Sequence, residues 1–432
     1  MPDSSVIERL LTLAHVVLAG RAGLFARVTL GGVIFVAGTT ALRTWTGATT
    51  RAWAQVALSV LLIGALTSPA LISLMVAHAL LFYWLVERGP RGPSGTVLIA
   101  LLLLVQVIGP IYWLPNLTGY EGKVRELVAF ATNMSQLRAW AYAYDRRRRQ
   151  LPAAASLRDY ALYMFFFPGF VSGPLCSPTE FFAGQLADYW EERSTRSWAG
   201  ALWAERWSVV RIGFGLMAVA AVTRFVPVLS TQGYRAAEHA SGLGAWAHAI
   251  GVYFGVYLGF FGWSEMAIGF GRLAGHVLPE NFDYALGSYG VADFWRRWNI
   301  RLGRWMHDYI YLPLGGAHPG GRRDRVAWWN LAAVFFGVAI YHHLGALKLL
   351  GPGLLSWRMF FFPWLLWALY NTLGTLVTRT WRRPEHWSPR VVVVVAGTFL
   401  FNCMALMTAF LPPFLGWHDL GTLYRRLFLL GW

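Results

Sequence analysis

Long apolar windows separated by short polar stretches run along nearly the whole chain. They fall at about 22–42, 52–66, 69–86, 94–114, 160–175, 208–229, 245–270, 326–350, 356–377 and 391–411, with weaker ones at 7–20 and 419–431. A helix needs about 20 apolar residues to cross the hydrocarbon core of a bilayer. Lipid offers the backbone no hydrogen-bond partner, so a spanning segment of this kind must bond to itself as a helix. The pattern predicts an all-α polytopic membrane protein with about nine to twelve transmembrane helices. Glycine and proline interrupt several windows, which leaves room for re-entrant and interfacial pieces.

Two segments break the apolar pattern. Cys176–Arg196 carries Glu180, Asp188, Glu191 and Glu192 and is too polar to span; it is expected to form a helix at the surface. The second runs from Asp293 to Gly316 and reads DFWRRWNIRLGRWMHDYIYLPLGG. Read as one helix, it aligns Trp295, Trp298, Leu302, Trp305 and Tyr309 on one stripe at steps of three and four. Asp293, Arg297, Arg301, Arg304 and Asp308 form another stripe, with opposite charges four residues apart. So much charge predicts a helix lying at the membrane interface or dipping in against protein.

Charge adds topology. The chain of 432 residues carries 37 basic and 21 acidic residues, a net charge of +16. The arginines cluster in short loops between apolar windows, at Arg88–Arg91, Arg146–Arg149, Arg322–Arg325, Arg382-Arg383 and Arg425-Arg426. That is the positive-inside pattern of cytoplasmic loops and not a nucleic-acid surface. The 23 Trp and 18 Tyr suit anchoring at the two interfaces. Cys176 and Cys403 give neither a disulfide framework nor a metal spacing. No histidine pair has zinc-protease spacing, so no metal site is expected. The first ten residues lack the basic start of a cleaved signal peptide.

Most histidines suit packing or loop positions, but His342 and His343 follow the apolar stretch Leu331–Tyr341. An ionisable residue at membrane depth is costly and marks a functional candidate. Adjacent helical residues point about 100° apart, so only one of the two can face a narrow tunnel.

Several segments together resemble the membrane-bound O-acyltransferase family, and within it the bacterial alginate O-acetylation and teichoic-acid D-alanylation type. The 293–316 block carries Phe-Trp-x-Arg-Trp, then Leu-x-x-Trp, Asp-Tyr and Pro-Leu-Gly-Gly. Phe165-Phe-Phe-Pro-Gly-Phe-Val-Ser-Gly-Pro174, Gly262-Trp-Ser-Glu-Met-Ala-Ile-Gly269 and Leu278-Pro-Glu-Asn-Phe282 resemble further elements in the family's order. Ordered motifs are more specific than any single one. The resemblance implies one membrane domain over 1–432: N-terminal helices to 123, a signature-bearing core at 124–375 and C-terminal helices from 376. It also implies helices ringed around a central tunnel.

The resemblance further implies acyl transfer from a cytoplasmic thioester to a hydroxyl of a cell-surface or secreted polysaccharide. The expected group is acetyl or another short acyl. The co-substrate would be acyl-CoA or an acyl carrier, with no bound cofactor, in a bacterial plasma membrane. An extracytoplasmic acyltransferase partner is in keeping with this type. His342 falls on the family's catalytic histidine, and His343 on the glycine that follows it. Tyr341 replaces a tryptophan, and Glu265 an aspartate that could orient a basic partner. Asn299 stands where the bacterial relatives usually have His. Asparagine cannot act as a base but can donate a hydrogen bond to a thioester carbonyl. On the wheel of a continuous helix Asn299 points away from the charged stripe, with Gly303 and Met306. Arg296, Arg297 and Arg301, beside Trp298, could hold the donor's phosphates, together with Arg304 and the Arg322–Arg325 loop. Three alternatives stay open: a carrier-protein donor or a lipid or small-molecule acceptor, a silent scaffold, and a transporter.

Overall fold

The computed structural model describes residues 21–42, 47–90, 92–113, 123–148, 150–151, 156–170, 173–185, 200, 203–225, 227–229, 231–316, 323–350, 357–410 and 417–428. These residues are helical, apart from loops and one isolated bridge between Gln185 and His276. The chain is a polytopic membrane protein: among the described residues five helices are long and apolar enough to cross a bilayer, within Thr49–Leu66, Pro69–Arg88, Pro93–Pro110, Gly242–Leu273 and Pro389–Ala409. Their start signals are local. Ser68 and Ser388 accept from the backbone N–H groups of Leu71 and Val391, and Pro69 and Pro389 occupy the first helical position, where a missing N–H costs nothing. Windows 208–229, 326–350 and 356–377 form Arg206–Val222, Arg323–Leu350 and Trp357–Thr378.

Three expectations change. The window at 160–175 is not one helix: Leu157–Phe165 ends where Phe166 leaves helical geometry (ψ 108), and a short turn, Phe167–Phe170, follows. The window at 419–431 forms Trp417–Phe428, whose 12 residues reach only about 18 Å, too short to span. Of the surface helix expected at Cys176–Arg196, the helical part is Pro178–Ala183, closed by a capping box between Ser177 and Glu180. Residues 186–196 lie outside the described residues, as does the window at 7–20.

The described residues fall into two compact units. The first comprises 1–216 with 265–279, the second 217–264 with 280–432. The first has an aromatic core in which Phe35, Phe82, Tyr142, Tyr160, Phe166 and Phe167 are buried. Phe166 and Phe167 of the 165–174 motif meet Phe35 at 5.6 and 6.0 Å. The carbonyls exposed where the motif breaks its helix are met by Arg138, fully buried, which donates to Met164 O (3.1 Å) and Gly169 O (2.5 Å). A buried carbonyl without a donor would be costly, so this arginine holds the break in place. The second unit packs Tyr234, Tyr253, Phe294, Trp298, Cys403, Met407 and Leu423. In it, Thr231–Glu238 is pinned to Trp417–Phe428 by Arg235–Asp419 at 2.6 Å.

Candidate active site

We label the helices of the site α1 (Val291–Arg297), α2 (Ile300–Met306), α3 (Arg323–Leu350) and α4 (Trp357–Thr378). All belong to the second unit. His342 and His343 lie on α3, and the structure separates them. The His342 ring stacks on Trp364 of α4, centroids 4.2 Å apart and planes 19° from parallel. Its Nδ1 lies 2.8 Å from the carbonyl oxygen of Val338, one turn earlier. A carbonyl only accepts, so in the neutral ring Nδ1 carries the proton and Nε2 the lone pair. Backbone and tryptophan together fix the tautomer and the plane of this imidazole. His343 points elsewhere and is buried (2% exposed), whereas His342 and Tyr341 are partly exposed.

The 293–316 block is not one helix. α1 ends at Trp298, which is extended (φ −104, ψ 126), and α2 begins after Asn299, which is left-handed (φ 45, ψ 50). Asparagine is among the few residues with a Cβ that adopt this region readily. From His307 the chain widens into a π-type coil that reaches Gly316 across a left-handed Gly315 (φ 91). The predicted stripes therefore break at Trp298 and Asn299. Asp293 pairs with Arg297 (3.1 Å) inside α1, and Arg304 lies 3.9 Å from Asp308. Asn299 sits at the joint and not on a face shared with Gly303 and Met306. Its amide makes no capping bond to α2.

The break also sorts the arginines. Arg297 is held by Asp293 and by Asp283 (3.1 Å), and Arg301 is buried (7% exposed). The side chains of Arg296 and Arg304 are 58% and 61% exposed. Trp298 packs among Tyr253, Tyr257, Phe282 and Phe294 at 5.2–5.6 Å. Arg323–Arg325 open α3, while Arg322 lies outside the described residues.

A line of rings joins the signature block to the histidine. Trp295 of α1 donates through Nε1 to the buried Asn371 of α4 (2.9 Å) and packs on Trp367 at 5.6 Å. Trp367 meets Trp364 at 5.4 Å, and Trp364 carries His342. Trp295 also meets Phe335, two turns before His342 on α3, at 5.5 Å. α4 is thus the platform on which both α1 and His342 are placed.

Glu265 lies in the first unit and has the basic partner its type suggested. Arg211 grips it with two bonds, 2.7 and 3.2 Å. A second pair, Arg272–Glu205 at 3.5 Å, joins the end of Gly242–Leu273 to the residue just before Arg206–Val222. Gly269 lets the two helices approach this closely, since a Cβ there would sit 2.7 Å from the Ser208 carbonyl oxygen. Sequence reasoning did not assign Arg211, Trp364, Asn371 or His307. His307 lies inside the signature block with its Nδ1 2.7 Å from Asp308. The adjacent His-Asp letters were its signal.

The family model for MBOAT, the membrane-bound O-acyltransferase family, matches residues 106–410. The chain is 24% identical over 365 residues to a "Probable alginate O-acetylase" of Pseudomonas fluorescens, an alignment covering 83% of this chain and 67% of that one. It is 30% identical over 258 residues to a peptidoglycan O-acetyltransferase of Helicobacter pylori (57% of this chain, 42% of the other). A teichoic acid D-alanyltransferase of Bacillus subtilis is 24% identical over 165 residues (38% and 39%). The chain thus spans only part of the length of these relatives.

Proposed function

We propose that this chain, which belongs to the membrane-bound O-acyltransferase family, moves a short acyl group, acetyl in the first instance, from a thioester to a hydroxyl of a cell-surface polymer. The observation that carries the reading is the fixed imidazole of His342, its Nδ1 proton committed to Val338 O and its Nε2 lone pair left to act. Acyl transfer to an alcohol needs such a base. His342 Nε2 takes the hydroxyl proton as the oxygen attacks the thioester carbonyl. A tetrahedral oxyanion forms, and the Asn299 amide donates a hydrogen bond to it. The C–S bond then breaks, the thiolate leaves, and the imidazolium returns its proton to the sulfur. No acyl-enzyme is needed.

Arg296 and Arg304 are the exposed arginines of the block and are assigned to the donor's phosphates, as CoA or as a carrier's phosphopantetheine. Arg297 and Arg301 are assigned to holding the fold of the joint. Relatives named for alginate, peptidoglycan and teichoic acid support a polymer acceptor in the bacterial cell envelope, with this chain assigned to the plasma membrane. A partner that receives the acyl group outside the membrane belongs to the same proposal. The test is donor-dependent acylation by purified protein in lipid nanodiscs, with acetyl-CoA as donor. His342→Ala should abolish it without loss of folded protein. Wild-type turnover in that variant would refute the assignment of the base.

A further inference from the structure

The motif Leu278–Phe282 plays no part in the mechanism so far, yet its asparagine meets the Asn299 joint directly. Asn281 is buried (4% exposed) and makes three bonds. Its carbonyl oxygen accepts from the backbone N–H of Ile300 (2.9 Å). Its side-chain oxygen accepts from the backbone N–H of Arg301 (3.2 Å). Its amide nitrogen donates to Ser264 Oγ (2.9 Å), which is itself buried (1% exposed) and belongs to the Gly262–Gly269 motif. Two residues on, the N–H of Asp283 donates to the carbonyl oxygen of Arg297 (2.9 Å). The chain at 281–283 therefore grips the chain at 297–301 on both sides of Asn299.

The first N–H groups of any helix lack partners inside it. The residue before the helix ordinarily supplies one, and asparagine is well suited to that task through its own side chain. Asn299 occupies the position in front of α2 but makes no such bond. Asn281 does the capping instead, by accepting from the first two N–H groups of α2. We infer that Asn281, anchored by Ser264, is a positioning residue: it caps α2 from another segment, holds residue 299 left-handed and leaves the Asn299 amide for the reacting carbonyl. This inference rests on the proposed role of Asn299. It gives three separate sequence motifs, 262–269, 278–282 and 293–316, one shared task.

The test is a double-mutant cycle between Asn281→Ala and Asn299→Gly, read as kcat and donor KM in nanodiscs, with thermal unfolding measured alongside. Asn281→Ala should lower kcat by about 10²-fold with little change in KM, as expected of a misplaced reacting group. In the Asn299→Gly background the same change should cost less than about threefold, because the group it positions is gone. Asn281→Asp should recover most of the activity, since a carboxylate accepts from the Arg301 N–H and from the Ser264 hydroxyl. If Asn281→Ala does not fold, Ser264→Ala replaces it in the cycle, with a smaller loss that must likewise vanish beside Asn299→Gly. Losses that multiply in the double variant, wild-type kcat in Asn281→Ala, or an Asn281→Asp protein as slow as Asn281→Ala would each overturn the inference. Wild-type turnover in Asn299→Gly alone would instead overturn the role of Asn299.

Discussion

Replacing Asn299 separates two reasons for an asparagine at that position. One is its backbone, which is left-handed at φ 45 and ψ 50; the other is its amide, assigned to the oxyanion. Alanine removes the amide and with it the local hydrogen bonding that lets asparagine tolerate the left-handed region, at about 1–2 kcal/mol. Glycine removes the amide and adopts this conformation readily. Aspartate keeps the shape and tolerates the backbone, but when ionised it cannot donate and its charge opposes an oxyanion. Histidine tolerates positive φ better than most residues and can donate. Losing one oxyanion donor costs about 10²–10³ in turnover. Asn299→Gly and Asn299→Ala should therefore be equally slow, both by about 10²–10³. Only the alanine variant should melt earlier than its glycine counterpart, by the equivalent of about 1–2 kcal/mol. Asn299→Asp should be at least as slow as either, and Asn299→His should keep partial activity. The assay is donor-dependent acylation in nanodiscs, with donor affinity measured separately. A glycine variant at wild-type turnover would show that position 299 serves only its backbone. Lost donor affinity at unchanged turnover would make Asn299 a binding residue.

Four further outcomes are expected. His343→Ala should keep much of the activity that His342→Ala loses. Trp364→Ala, which removes the ring that the imidazole stacks on, should lower kcat by about 10²-fold, and Trp364→Phe much less; reversed effects of the two histidines would move the base. Cysteines placed beside Arg147 and at 322–325 should be shielded in intact cells from an impermeant thiol reagent, because short arginine-rich loops stay in the cytoplasm; labelling of either site contradicts the topology. Burial pushes the pKa of His276, stacked against Phe181 and 3.3 Å from Gln55 Oε1, down to about 3. The native ring stays neutral while the unfolded one takes a proton below about 6.5. Stability should thus be complete above that pH and fall as pH drops toward 3, at up to about 1.4 kcal/mol per pH unit. Thermal unfolding from pH 7 to pH 5 should show this fall in the wild type and a weaker one in His276→Gln; equal pH dependence would refute it.

The fold class was legible because it follows from local signals. Apolar windows of spanning length, serine caps before Pro69 and Pro389, and arginine clusters between windows each act within a few residues of themselves. The breaks were not. Phe165–Pro174 reads as one apolar run, yet it is split at Phe166, and the split is held by Arg138, some thirty residues earlier. The second misreading has the same cause. Every step of three or four from Asp293 to Tyr309 is satisfied by a straight helix, and two of its charge pairs form in the structure even so. Periodicity cannot register a two-residue departure at Trp298 and Asn299 when the spacing of residue types continues unchanged on the other side. Just after the departure the N–H groups of Ile300 and Arg301 donate to Asn281, which window-by-window reading treats as part of a different segment. Candidate chemistry was legible as residue type, in His342 and Asn299. Their surroundings were not legible: the imidazole meets Trp364 and the Val338 carbonyl, and the two N–H groups after Asn299 meet Asn281. The sites where local pattern fails, Phe166 and Asn299, are both places where a buried polar side chain from elsewhere takes over backbone groups that a regular helix would have satisfied for itself. In a lipid-soluble chain such irregular backbone is tolerated only where protein or water satisfies its polar groups, and Arg138 and Asn281 do this at the two joints, each within its own unit.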